Sequence, residues 1–180
     1  MPLPPFEDLK NDWNNHTIKF TLSPTLWVDS TDINTFFSYH TVHHIKFFNE
    51  DCSAINSNIT NLPTDKGGIY FFILKNDVLP ELSSHIMYIG RAHCTTAGQN
   101  LRKRCREYFN KYYKNHTERP HIHAMLNNWC ANLYLYFIEL TDNDEIDEIE
   151  KKLINNIVPP FNHDIPHTDI KRVKRAMSAF

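Results

Sequence analysis

The chain has 180 residues, a formal net charge of −2, 41% hydrophobic and 13% aromatic side chains. That length suits one domain with an elaboration, and the acidic balance excludes a uniformly basic, nucleic-acid-coating surface. No apolar run exceeds six residues, which excludes a membrane span.

At the amino terminus, Met1 to Asp8 has neither a basic segment nor an apolar core, so no secretory leader is expected. Cys52, Cys94, Cys105 and Cys130 show no CxxC pair or framework spacing. Reduced thiols in an intracellular, cytoplasmic protein are the expectation. Residues 1–62 read as a mostly irregular or helical extension. Phe6 to Trp13 forms a helix behind Pro4-Pro5, and Asp32 to Tyr39 a second one capped by Ser30 or Thr31. His40, His43 and His44 cluster, but no Cys or acidic partner stands at a recognised ligand spacing. A zinc site there remains an alternative for metal analysis. Asp51 to Pro63, with three asparagines, reads as a linker.

Residues 63–165 carry the clearest pattern. Gly68 to Leu74 and His85 to Arg91 read as strands joined by a loop with Asn76-Asp77 and Pro80 as turn residues. Three of the four glycines, Gly67, Gly68 and Gly90, lie in or beside these strands. Glycine weakens a strand unless a backbone bend or close approach requires it. Gln99 to Tyr113 is a helix with Leu101, Cys105, Tyr108, Phe109 and Tyr112 on its apolar face. Arg102, Lys103 and Arg106 fall on the other side. His121 to Trp129 forms a further helix, and Asn132 to Leu140 alternates as a third strand. Asp144 to Ile157 is a helix with an acidic start, ended by Pro159-Pro160. Ile146, Ile149, Leu153, Ile154 and Ile157 form its stripe, and Glu150 stands in the middle of it. A carboxylate there needs compensation, and a divalent cation or a buried arginine would supply it.

Charge is segregated. Between Arg91 and Arg119 there are eight Lys or Arg and two acids, whereas Asp142 to Glu150 holds six acids and no base. Residues 166–180 include the basic run Lys171-Arg172-Val173-Lys174-Arg175. A basic middle in an acidic frame fits local contact with phosphate.

The motifs occur in a telling order. Gly68-Ile69-Tyr70 precedes Tyr88-Ile89-Gly90, then Asn100-Leu101-Arg102-Lys103-Arg104-Cys105-Arg106-Glu107-Tyr108-Phe109. Glu150-Lys151-Lys152-Leu153-Ile154 and Pro159-Pro160-Phe161-Asn162 follow. Together they resemble the GIY-YIG nuclease family over about residues 67–163. The resemblance implies an α+β domain over 63–165 with a small central antiparallel three-stranded sheet flanked by helices. Its seventeen residues between the two tyrosines exceed the family's tight hairpin, which suggests an insertion. The implied activity is hydrolysis of DNA phosphodiesters with Mg²⁺ or Mn²⁺ held by Glu150.

In the implied roles, Arg104 stabilises charge on the phosphate, and Tyr70 accepts the proton of the attacking water. Tyr88 positions that water or the phosphate, Tyr108 matches a further catalytic-site tyrosine of the family, and Asn162 orients the network. Arg91, Arg102 and Arg106 would contact substrate phosphates. A phenol near ~10 needs a metal or arginine nearby to act as a base. His116, His121 and His123 compete for an assisting role. The implied partner is duplex or branched DNA, and a double-strand cut would require a homodimer. The alternative is a catalytically silent nucleic-acid-binding module of the same fold.

Overall fold

A computed structural model describes residues 6–28, 30–76, 78, 83–94 and 99–178. Pro4-Pro5, Asp77 and Pro80, to which the sequence assigns helix-start and turn roles, lie outside these residues. In chain order the elements are α1 (Phe6–His16), α2 (Thr31–Tyr39), β1 (His43–Lys46), β2 (Gly67–Lys75) and β3 (Ser84–Ala92). There follow α3 (Leu101–Glu107), α4 (Pro120–Asn128), β4 (Leu133–Leu140), α5 (Asn143–Ile157) and α6 (Thr168–Ser178).

The fold is α+β, and its antiparallel sheet has four strands in the order β1-β4-β2-β3. This corrects the expected three. The added strand is the histidine-rich segment, with His43 opposite Phe137 and Lys46 opposite Tyr134. Four residues are too short to display a period, and the pairing partner is remote in sequence. Successive residues of a strand face opposite sides. Accordingly His43 stacks on Phe137 at 5.2 Å between ring centroids and His44 on Tyr136 at 5.1 Å. His40 turns back to the Phe36 carbonyl. Each of these histidines therefore has its own aromatic or backbone partner, and they do not converge on one point.

The β2–β3 hairpin accounts for most of the long spacing between the tyrosines. Both strands run nine residues, and a bulge between Phe72 and Ile73 shifts their register. The bulge lets Met87 and Tyr88 both reach the same core. The stretch expected as a linker is packed instead. Phe48 bridges Ile55, Ser57–Asn61 forms a 3₁₀ turn, and Ile59 and Leu62 are buried with Tyr70.

Helices cover both faces. One face buries Ile69, Phe71, Ile89 and Ile138 against α5 and α2. The other buries Tyr70, Phe72, Leu135 and Phe137 under α3, α4 and the turn that follows α3. The Asn100 side chain caps α3 by accepting from the Lys103 N–H at 3.0 Å. From Tyr108 to Tyr113 the helix widens into a π-turn, a local geometry often found at functional sites. Asp142 caps α5 by accepting from the Asp144 and Glu145 N–H groups. Val158 ends that helix in the left-handed region at φ 50°, a costly conformation for a β-branched residue.

Candidate functional site

Tyr70 lies on β2 directly opposite Gly90 on β3, and this pairing explains the glycine. A Cβ at position 90 would stand 2.5 Å from the Tyr70 hydroxyl. Gly68 has its own reason: φ is +150°, and a Cβ would meet the Ile138 carbonyl oxygen at 1.9 Å. The Tyr70 ring therefore lies flat across the hairpin and sends its hydroxyl to that of Tyr108, 2.9 Å away. Both phenols are fully buried. Burial drives both well above the usual phenol range, so both hydroxyls keep their protons at neutral pH. The Arg104 guanidinium opposes the shift at Tyr70 without reversing it.

Arg104 is partly exposed and donates from Nη1 to Glu107 at 2.8 Å. Its guanidinium also interacts with the Tyr70 and Tyr108 phenols, which ties the buried pair to the surface. Tyr88 is half-buried, with its ring 5.9 Å from that of Tyr108. Tyr88 also forms one wall of an open cleft of about 450 Å³, shared with Arg91, Arg119, His121, Glu150 and Asn162.

Of the two remedies for Glu150, the described residues supply the arginine. Arg91 donates from Nη1 to Glu150 Oε2 at 2.6 Å, and its Nε lies 3.1 Å from Asp147 Oδ1. Asp147 also meets His93 Nε2 at 2.6 Å. Sequence reading set Asp147 apart from Glu150, yet Arg91 joins them one helical turn apart. Burial pushes the Glu150 carboxyl up despite Arg91. Asp147 moves the other way: burial alone would raise it, but His93 and Arg91 together hold it down.

One observation bears on a divalent cation at this position. Glu150 is the most buried carboxylate on the cleft, its side chain 14% exposed, and burial destabilises its charge. Mg²⁺ is commonly held by one or two carboxylates, with water and phosphate completing its shell. Among the described residues no group of three or more His, Cys, Asp or Glu is arranged to hold a metal, so protein side chains alone would not complete a cage.

Asn162 is buried, and its amide braces the second tyrosine's strand. Its Oδ1 accepts from the Ile89 N–H and its Nδ2 donates to the Ile89 carbonyl, each at 2.8 Å. The Phe161 N–H donates to the Met87 carbonyl at 3.0 Å. The Pro159-Pro160-Phe161-Asn162 loop thus closes the free edge of β3 and fixes Tyr88 between its own anchors. Arg102 and Arg106 go elsewhere. They line a separate depression with Lys103 and Asn110, and Arg102 Nε donates to the Leu62 carbonyl.

The three competing histidines separate cleanly. His123 Nδ1 bonds the Tyr112 carbonyl, and His116 packs against His123. His121 lines the cleft and stacks on His163 at 3.8 Å. Sequence reading missed Arg119, His163, His93 and Asp147. Arg119 stands just before Pro120, the first residue of α4, so a helix-start signal was available for it. Nothing local marks the other three, whose partners come from distant segments.

No family model, no curated protein and no solved structure matches the chain.

Proposed function

We propose that this protein is a divalent-metal-dependent endonuclease that hydrolyses DNA phosphodiesters through one site. The observation that carries the proposal is the meeting of Tyr88, Arg91 and Glu150 on one open cleft, with Tyr70, Tyr108 and Arg104 packed behind Tyr88. Glu150 would hold Mg²⁺ or Mn²⁺. When bound, such an ion supplies Lewis-acid stabilisation of oxygen charge and lowers the pKa of its water.

Arg91 is pre-aligned by Asp147 and Glu150. A phosphate arriving at the cleft can take over the Nη1 donor that Glu150 now receives, for guanidinium–phosphate contacts are strong and directional. Arg104 lies beside the buried phenols rather than among the cleft's lining residues, and in this reading it would supply positive charge to the phosphate from behind Tyr88. Tyr88 presents its ring and hydroxyl to the cleft and orients water or phosphate. Tyr70, buried and protonated, acts as a hydrogen-bonding support for that surface. Asn162 keeps the strand carrying Tyr88 in place.

One observation favours a second reading, the catalytically silent nucleic-acid-binding module. Glu150 already has a cationic partner in Arg91, which a purely structural carboxylate would also have. Incubation with linear, nicked, flap and junction DNAs plus Mg²⁺ or Mn²⁺ separates the two. Metal-dependent cleavage of any of them supports the nuclease, and binding with no cleavage in either metal supports the silent module.

A further inference from the structure

Beside the Glu150 cleft lies a second cleft of about 370 Å³, and the two share His121, Phe161 and His163 as a common wall. Its far side comes from outside the four motifs: Lys19 and Phe20 from the segment after α1, and Lys174 from α6. No described residue lining it is acidic, whereas the first cleft carries Glu150 and Asp164.

The lining chemistry is flat and cationic. Phe20 is 40% exposed and tilts against the His85 ring at 4.9 Å, which holds one side of it and leaves the rest of the ring open to the cleft. His121 and His163 stack nearly parallel, 24° apart. Burial, His163 and Arg119 push His121 down to about 4, while burial and Lys174 lower His163. Both imidazoles are therefore neutral near pH 7 and offer π-faces rather than charges. The cations are separate: Lys19 is exposed, and half-buried Lys174 donates to the Pro159 and Asn162 carbonyls at 3.0 and 2.9 Å. Lys174 thereby also fixes the loop that braces Tyr88.

Neutral aromatic faces beside ammonium groups, with carboxylates excluded, are the combination that binds a single nucleic-acid strand. The faces stack a base and the exposed Lys19 ammonium meets its phosphate, while Lys174 holds the loop carbonyls. A cleft of this volume suits one small ligand, the size of a single nucleotide. We propose that the second cleft receives one unpaired nucleotide of the strand whose neighbouring phosphate lies at the Glu150 cleft. The substrate class is then DNA with a single-stranded nucleotide beside the cut, in an overhang, flap or branch, rather than blunt duplex. This rests on the nuclease reading above.

The test uses the full chain and fluorescein-labelled DNA without metal, so that binding is read apart from cleavage. One probe is a blunt duplex and the other is the same duplex with a single-stranded overhang. Anisotropy titrations should show the overhang bound about tenfold more tightly, the scale of one base–aromatic stack. Phe20→Ala should bring the ratio close to one with blunt-duplex affinity little changed. Lys19→Glu, an exposed substitution, should also lower the ratio. Equal affinity of the wild-type chain for both probes would overturn the proposal, as would a preference that survives both variants. The nuclease reading fails separately: overhang preference without metal-dependent cleavage leaves the nucleotide cleft standing and removes only the hydrolysis.

Discussion

On the α5 face the sheet buries Ile69, Ile89 and Ile138 against Ile146, Ile149 and Leu153, whereas on the α3 face it buries Tyr70 and Phe72 beneath Tyr108 and Tyr112. Aliphatic burial yields a rigid support with no polar group to satisfy. Burying phenols obliges each hydroxyl to find a partner, and Tyr70 and Tyr108 find each other. One face therefore supplies stability and presents Glu150 from the middle of its helix. The other holds polar groups in a single arrangement next to Arg104 and the cleft.

Substitutions on the two faces should separate those contributions. The largest loss of stability is expected from Ile138→Ala, which empties a fully packed site on the aliphatic face. It should cost about 2–5 kcal/mol in denaturant unfolding and leave the cleavage rate of the folded fraction unchanged. Arg104→Ala should show the reverse pattern. Cleavage falls by about 10²–10³ in single-turnover assays, while the thermal midpoint moves little.

Gly90→Ala tests the link between the hairpin and the phenols. Its new methyl group meets Tyr70 at 2.5 Å, so about 1–3 kcal/mol of stability and much of the activity should be lost together. A Cβ at position 90 would also stand 2.6 and 2.7 Å from two carbons of the Tyr70 ring, so a Gly90→Ala/Tyr70→Phe double variant should not recover the lost stability. Tyr70→Phe alone removes one partner of the buried Tyr108 hydroxyl, which keeps Tyr88, and should cost about 1 kcal/mol.

The smallest effect concerns pH. Burial raises the Glu150 carboxyl in the folded protein. Its contribution to stability is therefore full below the unfolded-state value and is lost as pH rises through the folded one. Asp147, held down by His93 and Arg91, contributes above its unfolded-state value and loses that contribution as pH falls through its folded one. Glu150→Gln in metal-free buffer should therefore flatten the decline of the unfolding midpoint as pH rises above the ordinary glutamate range of about 4. An unchanged slope would contradict the burial argument.

The elements most legible in sequence were those whose periodicity is set locally. The stripe Ile146, Ile149, Leu153 and Ile154 fixes α5, and the alternation of Leu133, Leu135 and Phe137 fixes β4. The helix from Leu101 was visible, but not its π-turn, because the apolar spacing at Tyr108, Phe109 and Tyr112 also suits an α-helix. β1 was hidden because four residues are too few to display a period, and the stacking partners of His43 and His44, Phe137 and Tyr136, lie on a distant strand. At the site, Tyr88, Arg91, Glu150 and Asn162 could be placed from motif order. Arg91 binding Glu150 could not, since that contact depends on how α5 docks across β3. Arg102 and Arg106 share a helix with Arg104, but their faces turn them toward Leu62 and solvent.

Glu150→Ala, compared with the wild-type chain under single-turnover conditions with Mg²⁺ and branched or plasmid DNA, tests the central claim most directly. Cleavage should disappear while DNA affinity and the circular dichroism melt stay near wild type. Cleavage at the wild-type rate in that variant would contradict the account.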